Sequence, residues 1–186
     1  MNPWRITYIV LLCTTPFVLI FGVLMMVTSK NFIAASRWHA ANGNSVRLPD
    51  YDLQVSKWWW QSDLVENDDD EFKSVTLQRA NINDASVIII NRNDPKDVPP
   101  AKSEQQLLDD IRTTISEMNK DRKGPPVRAL RLEKGAVKLY CFREFSFQAV
   151  HITCRTPNSP YIFVYSGELR YERECIGILQ SLTPVQ

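Results

Sequence analysis

Cys141, His151 and Cys154 lie within one short stretch, VKLYCFREFSFQAVHITC, and are the first place to look for nucleophilic or metal chemistry. A thiolate–imidazole pair needs both side chains on the same side of the backbone. His151 and Cys154 are three residues apart, so strand alternation sends them to opposite faces. No Cys-x-x-Cys or His-x-x-x-His spacing suits zinc. The cysteines suit a bridge better. If the chain reverses at Phe147-Gln148, Cys141 and Cys154 stand opposite each other on neighbouring strands, within disulfide reach. Phe-Gln is poor turn chemistry, because tight hairpins favour Asn-Gly or a similar pair. Two buried thiols are the alternative. With Cys175 the part after residue 48 holds an odd number of cysteines, so at least one is left over.

The other chemical candidates weaken on inspection. Glu66–Glu71 (ENDDDE) has neither the glycine nor the ligand spacing of a calcium loop, and reads as a solvated hairpin tip. Lys120, Arg122 and Lys123 form a small basic cluster after a helix, either a solvated cap or an anion or headgroup contact. His39 has no nearby second ligand. There is no Gly-rich phosphate loop and no dinucleotide fingerprint. The net charge of +1 gives no general argument for nucleic acid. We therefore expect no enzyme, no catalytic or cofactor-binding residue and no metal. Trp58, Trp59 and Trp60 are consecutive, and in a strand they point to alternate faces. They imply either a strand buried on both faces or a contact surface for a partner or a membrane, since aromatic anchors are enriched at interfaces. All three are candidate partner-contact residues.

The elements that would position these residues begin with a membrane anchor. Residues 6–27 (ITYIVLLCTTPFVLIFGVLMMV) carry no charge. At about 1.5 Å per residue, a helix over this run crosses the roughly 30 Å hydrocarbon core. Trp4 and Tyr8 suit the headgroup layer, and Pro16 is tolerated in such a helix. The run is too long for a signal-peptide core, and the small residues Ala34-Ala35-Ser36 lie too far beyond it for a cut site. Cys13 follows Leu11-Leu12 and reads as a membrane residue, not a lipid attachment site. Lys30, Arg37 and Arg47 against Arg5 would keep the domain inside by the positive-inside count. A short N-terminus followed by one span behaves as a signal anchor, and this predicts export. The expected organisation is an anchor over 1–28, a juxtamembrane linker over 29–47 and a soluble domain over 48–186, single-pass in the inner membrane with the domain on the periplasmic side.

Within the domain, DLQVSKWWW reads as a strand, SVTLQR as another, and SVIIIN as a central strand buried on both faces. Pro95, Pro99 and Pro100 mark a loop. Ser103–Met118 is a helix with a Ser103/Gln106 capping box and an apolar stripe of Leu107, Leu108, Ile111, Ile115 and Met118. Strands follow over 127–132, 137–145, 150–155 and 161–165. A closing helix spans Gly167–Leu182, with Leu169, Ile176, Leu179 and Leu182 as its stripe. Hairpin-length links predict an α+β fold, an antiparallel sheet covered by two helices.

This order resembles the PsbP-like fold, which includes DcrB-type bacterial envelope proteins. The matching parts are SVIIIN, the proline loop, SEQQLLDDI, the antiparallel series and the closing ECIGILQSL, over about Leu48 to Leu182. WWW replaces the family's usual opening hairpin, and a membrane helix replaces the lipid anchor of DcrB-type proteins. The resemblance implies a non-enzymatic accessory or binding domain and assigns no site residue. An enzyme with an unrecognised carboxylate-based site is a third reading, weakened by the absence of paired acids outside turns, and two binding functions lead. One is an anchored protein-binding or accessory subunit of a cell-envelope assembly. The other is an anchored immunity protein that neutralises a periplasmic toxin.

Overall fold

Strict alternation in the β-rich half of the chain dictates a sheet with one deeply buried face. Val150, Ile152 and Cys154 are buried while Ala149, His151, Thr153 and Arg155 between them are only partly covered, and Tyr161, Phe163 and Tyr165 repeat the pattern. The computed structural model describes residues 31–66, 72–80, 86–92, 103–133 and 136–185. It is an α+β fold whose strand pairings are all antiparallel.

The large sheet has seven strands: β3 (Trp59–Glu66), β4 (Phe72–Arg79), β5 (Val87–Arg92), β6 (Arg128–Leu132), β7 (Leu139–Ser146), β8 (Ala149–Arg155) and β9 (Tyr161–Glu168). Their spatial order is β3-β4-β5-β9-β8-β7-β6. Two meanders therefore meet where β5 pairs with β9, setting Ile88 opposite Tyr165 and Ile90 opposite Phe163. A second sheet has the order β1-β2-β10, from β1 (Ser45–Arg47), β2 (Tyr51–Gln54) and β10 (Thr183–Pro184).

The two expected helices lie on opposite faces of the large sheet. Helix α2 (Glu104–Asn119) starts at Ser103 with the expected capping box: the Gln106 amide donates to Ser103 Oγ at 3.3 Å and the Ser103 amide donates to Gln106 Oε1 at 3.0 Å. Leu107 and Ile111 bury against Tyr140 of β7 on the outer face. At its other end, Asn119 brackets Val127 with two hydrogen bonds, at 2.8 and 3.0 Å, fixing the entry into β6. Helix α3 (Glu172–Gln180) covers the inner face with Cys175, Ile178 and Leu179, beside Val46 and Leu53 of the small sheet and Val55 just after β2.

Four local expectations change. Residues 31–42 lie in the expected linker, where Phe32–Trp38 could extend the membrane helix or lie on the bilayer and Asn42-Gly43-Asn44 would break it; they form helix α1, and β1 follows. Ala35 is 2% exposed, Val46 is buried and Trp38 packs on the core. The small Ala35 side chain lets the helix approach closely, and alanines at 34, 35, 40 and 41 favour helix. The expected continuous DLQVSKWWW strand breaks at a turn, where the Trp59 amide donates to the Ser56 carbonyl at 2.9 Å. β5 is not buried on both faces, because Ile88 and Ile90 are buried while Val87 and Ile89 are only partly covered. The closing helix starts later than expected. Gly167 and Glu168 belong to β9, and Leu169–Tyr171 form a 3₁₀ turn before α3. Leu169 therefore leaves the expected stripe and is exposed, while Cys175 and Ile178 join the core.

The apolar run 6–27, residues 67–71 of the Glu66–Glu71 stretch, residues 81–85 and the prolines at 95, 99 and 100 lie outside the described residues. No helix among the described residues is long and apolar enough to cross a membrane.

Gly167 has a packing role that composition does not disclose. A Cβ there would stand 2.3 Å from Ser86 Oγ, 2.6 Å from Ser86 Cβ and 2.7 Å from the Tyr165 hydroxyl. Gly167→Ala is expected to lower stability by about 1–3 kcal/mol in urea unfolding. Adding Ser86→Ala should not restore it, because Ser86 Cβ is itself part of the clash.

Candidate functional site

The β7–β8 register sets Cys141 directly opposite Cys154, and the two are joined by a disulfide with a Cα–Cα distance of 4.1 Å. This is the closely spaced type of antiparallel pair, whose side chains lie nearest each other. Ser146 pairs with Ala149, so the connection is the two-residue turn Phe147-Gln148. Phe147 takes a left-handed φ of 52°, in place of the Asn or Gly usual there, and its ring is fully exposed. His151 stands opposite Glu144 on the outer face, while Cys154 is buried on the inner face. The bridge and the opposed faces leave no Cys–His nucleophile. Cys175 is a buried thiol in α3, and burial pushes its pKa well up, with Glu172 and Glu174 adding to the shift. It is a neutral core residue at physiological pH.

The three tryptophans have three different environments. Trp59 is 0% exposed and packs in the inner core, with its ring 6.4 Å from that of Tyr165. Trp60, one residue on, is half-buried. Trp58 precedes the strand and is 38% exposed, with its carbonyl accepting from the Ala80 amide. Its ring lies 6.5 Å from that of Phe32 in α1, and the Lys57 ammonium sits 5.1 Å from its centroid. Arg79 approaches Trp58 at 5.9 Å, stacks on Tyr171 at 3.8 Å and pairs with Glu174 at 3.1 Å. Trp59 is therefore structural, and Trp58 is the member of the cluster that meets solvent.

Trp58 also has company that the sequence pattern does not reveal. The strand pairings put Trp59, Arg79, Val87, Glu168, Ala149 and Ser146 at one end of the large sheet. Just beyond that end come Trp58, Leu169 (53% exposed) and Phe147. The one readable sign was a phenylalanine at a hairpin tip, where packing gives no reason for one.

On the outer face, α2 and the sheet enclose a groove of about 310 Å³, lined by Asp110, Thr113 and Thr114 from the helix and by Tyr140, Thr153 and Arg155 from the sheet. Leu107, Ile111 and Phe142 add apolar wall between these polar groups, so the lining is mixed. Nearby, the Tyr140 hydroxyl donates to the Glu104 carboxylate, and Arg131 Nη2 lies 3.1 Å from that hydroxyl. The hydrogen bond from Tyr140 holds the Glu104 pKa below the ordinary value. Desolvation opposes the shift, and Lys138 and Arg131 assist it. Burial, and then the Glu104 hydrogen bond, push Tyr140 up.

The basic cluster divides by role. Arg122 binds Glu144 at 2.7 Å and the Pro125 carbonyl at 2.6 Å, whereas Lys120 and Lys123 are exposed. His39 Nδ1 lies 2.7 Å from the Gly43 carbonyl, at the end of α1. Among the described residues, no group of three or more His, Cys, Asp or Glu side chains could hold a metal ion. No protein-family model matches the chain, and no curated protein matches it either.

Trp59→Ala is expected to cost about 3–5 kcal/mol of stability, as for a large core truncation, whereas Trp58→Ala should stay within about 1 kcal/mol of wild type. Denaturant titration of both variants checks this. The Glu104 contact predicts a pH effect of definite sign. Its folded-state pKa lies below the unfolded one, so the contact stabilises above the ordinary glutamate range and fades as pH falls through the folded value. Tyr140→Phe should therefore destabilise at neutral pH, with the gap to wild type narrowing as pH drops below the ordinary glutamate range. Urea unfolding across pH measures that gap.

Proposed function

We propose that this chain is a single-pass, membrane-anchored, non-enzymatic binding or accessory subunit of a cell-envelope assembly, with its folded domain on the periplasmic side. The observation that carries the reading is the Cys141–Cys154 bridge across β7 and β8. Such bonds persist in oxidising compartments and are rare in the cytosol. Residues 6–27, charge-free and long enough to span, supply the anchor. The bridge favours export over the positive-inside count. The PsbP-like, DcrB-type resemblance implies the same kind of role. A binding function also agrees with the fate of the chemically capable residues. Cys141 and Cys154 are bridged, Cys175 is buried, and Arg79, Arg122 and Arg143 are drawn into ion pairs with Glu174, Glu144 and Glu172.

The test is a pair of C-terminal fusions in the native host, one to alkaline phosphatase and one to green fluorescent protein, with alkylation of the unfused protein in denaturant without reductant. An active phosphatase, a dark fluorescent protein and peptide maps with Cys175 labelled but Cys141 and Cys154 unlabelled are expected. The reverse fusion pattern with all three cysteines labelled overturns the reading. Crosslinking of the full chain in its host then identifies the partner. Envelope or integral membrane proteins fit an accessory subunit, while a soluble toxin encoded next door would make the protein an immunity protein.

A further inference from the structure

Among the described residues, the large apolar side chains that remain exposed are Phe32, Ile33, Trp58, Phe147, Leu169 and Val185. All but Val185 belong to one end of the large sheet or to the start of α1, which packs on that end through the Phe32–Trp58 contact. Val185 lies at the opposite end, where its amide donates to the Asp50 carbonyl and the neighbouring Tyr51 meets Tyr161, the first residue of β9, edge to face. Scattered exposed apolar residues need no explanation, but a set gathered at one end marks a contact surface.

We propose that this sheet end rests on the phospholipid surface, with Trp58, Leu169 and Phe147 entering the headgroup layer. The proposal rests on reading residues 6–27 as a membrane anchor. Given that anchor, the geometry leaves little freedom. The chain from Val27 to Asn31 spans at most about 14 Å when fully extended. Phe32 follows at once and its ring contacts Trp58. The Trp58 end of the sheet is therefore tethered next to the bilayer. Neighbouring strands lie about 4.8 Å apart, so the β7–β8 tip is only about 20 Å from Trp58 along the same end.

The side-chain chemistry suits lipid. Trp58 with Lys57 5.1 Å from its ring combines an amphipathic ring with a cation that reaches phosphate, the pairing found at membrane interfaces. Lys120 and Lys123 are exposed where α2 ends, beside Arg122, which ties that turn to Glu144 and Phe145 near the hairpin tip. Several acids around this end already have cationic partners: Glu144 with Arg122, Glu168 with Arg170, and Glu174 with Arg79. Phe147 is the most telling residue. It accepts a left-handed backbone that disfavours side chains, and its ring covers no core.

The experiment places photoreactive p-benzoyl-phenylalanine at position 147, 169 or 185 of the full chain. The protein is reconstituted in phosphatidylethanolamine–phosphatidylglycerol vesicles carrying a fluorescent phospholipid. The same vesicles are washed with alkaline carbonate to read the anchor separately. Expected are retention after carbonate and lipid labelling from 147 and 169 several-fold above that from 185. Phe147→Asn, which suits the turn, should keep thermal stability while reducing labelling from 169. Retention with equal labelling at all three positions, or crosslinks from 147 and 169 to protein only, overturns the docking surface and leaves the anchor standing. Release by carbonate removes the anchor and the proposal with it.

Discussion

The pairing of β5 with β9 is the contact on which the rest of the large sheet depends. Strands β3 to β5 form one meander and β6 to β9 another, and only this pairing joins them within the sheet. The two strands are separated in sequence by α2 and the other three strands of the second meander, so closing this contact costs loop entropy before it is rewarded. Burial supplies the return. Ile88 and Ile90 face Tyr165 and Phe163, all 0% exposed, and each apolar side chain sits on the face that α3 and the small sheet cover. A slip of one residue would turn every one of them outward, so the register is held by the core itself.

Covering that face takes pieces from both ends of the described chain. The small sheet brings β10 beside β2, and α3 is clasped by ion pairs from the large sheet, Arg79 to Glu174 at 3.1 Å and Arg143 to Glu172, where Nη2 and Oε2 are 2.6 Å apart. Ser56 adds a hydrogen bond to Glu174 at 2.6 Å. These pairs are mostly shielded from water, so their value lies more in fixing where α3 lies than in net stability. The Cys141–Cys154 bridge crosses two strands already in register, with both sulfurs on the covered face. It adds a covalent tie to the second meander and restricts the unfolded chain.

The functional reading follows from how these constraints distribute side chains. Packing absorbs Trp59, Cys175 and the bridged pair, and ion pairs absorb several of the arginines. What remains at the surface is a groove of mixed polar and apolar lining beneath α2 on one face and an apolar, lysine-flanked sheet end beside α1. A domain of this kind presents surfaces, which is what the proposed binding role requires.

By itself the sequence determined the α+β class, the strand series after residue 127, the Ser103/Gln106 cap and, granted a reversal at Phe147-Gln148, the opposition of Cys141 to Cys154. Each rests on local periodicity or on counting residues about a turn, and such rules need no knowledge of distant neighbours. The tertiary structure alone decided the rest. It placed the two helices on opposite faces, made α1 and β1 of a stretch that composition marks as linker, and divided Trp58, Trp59 and Trp60 among solvent, core and an intermediate site. It also ended β9 at Glu168, where Gly167 fits against Ser86, leaving Leu169 outside the helical stripe it had seemed to join. Those outcomes depend on which surfaces meet across the fold. Alternation states that two residues face opposite ways, and only the assembled layers determine which way is in.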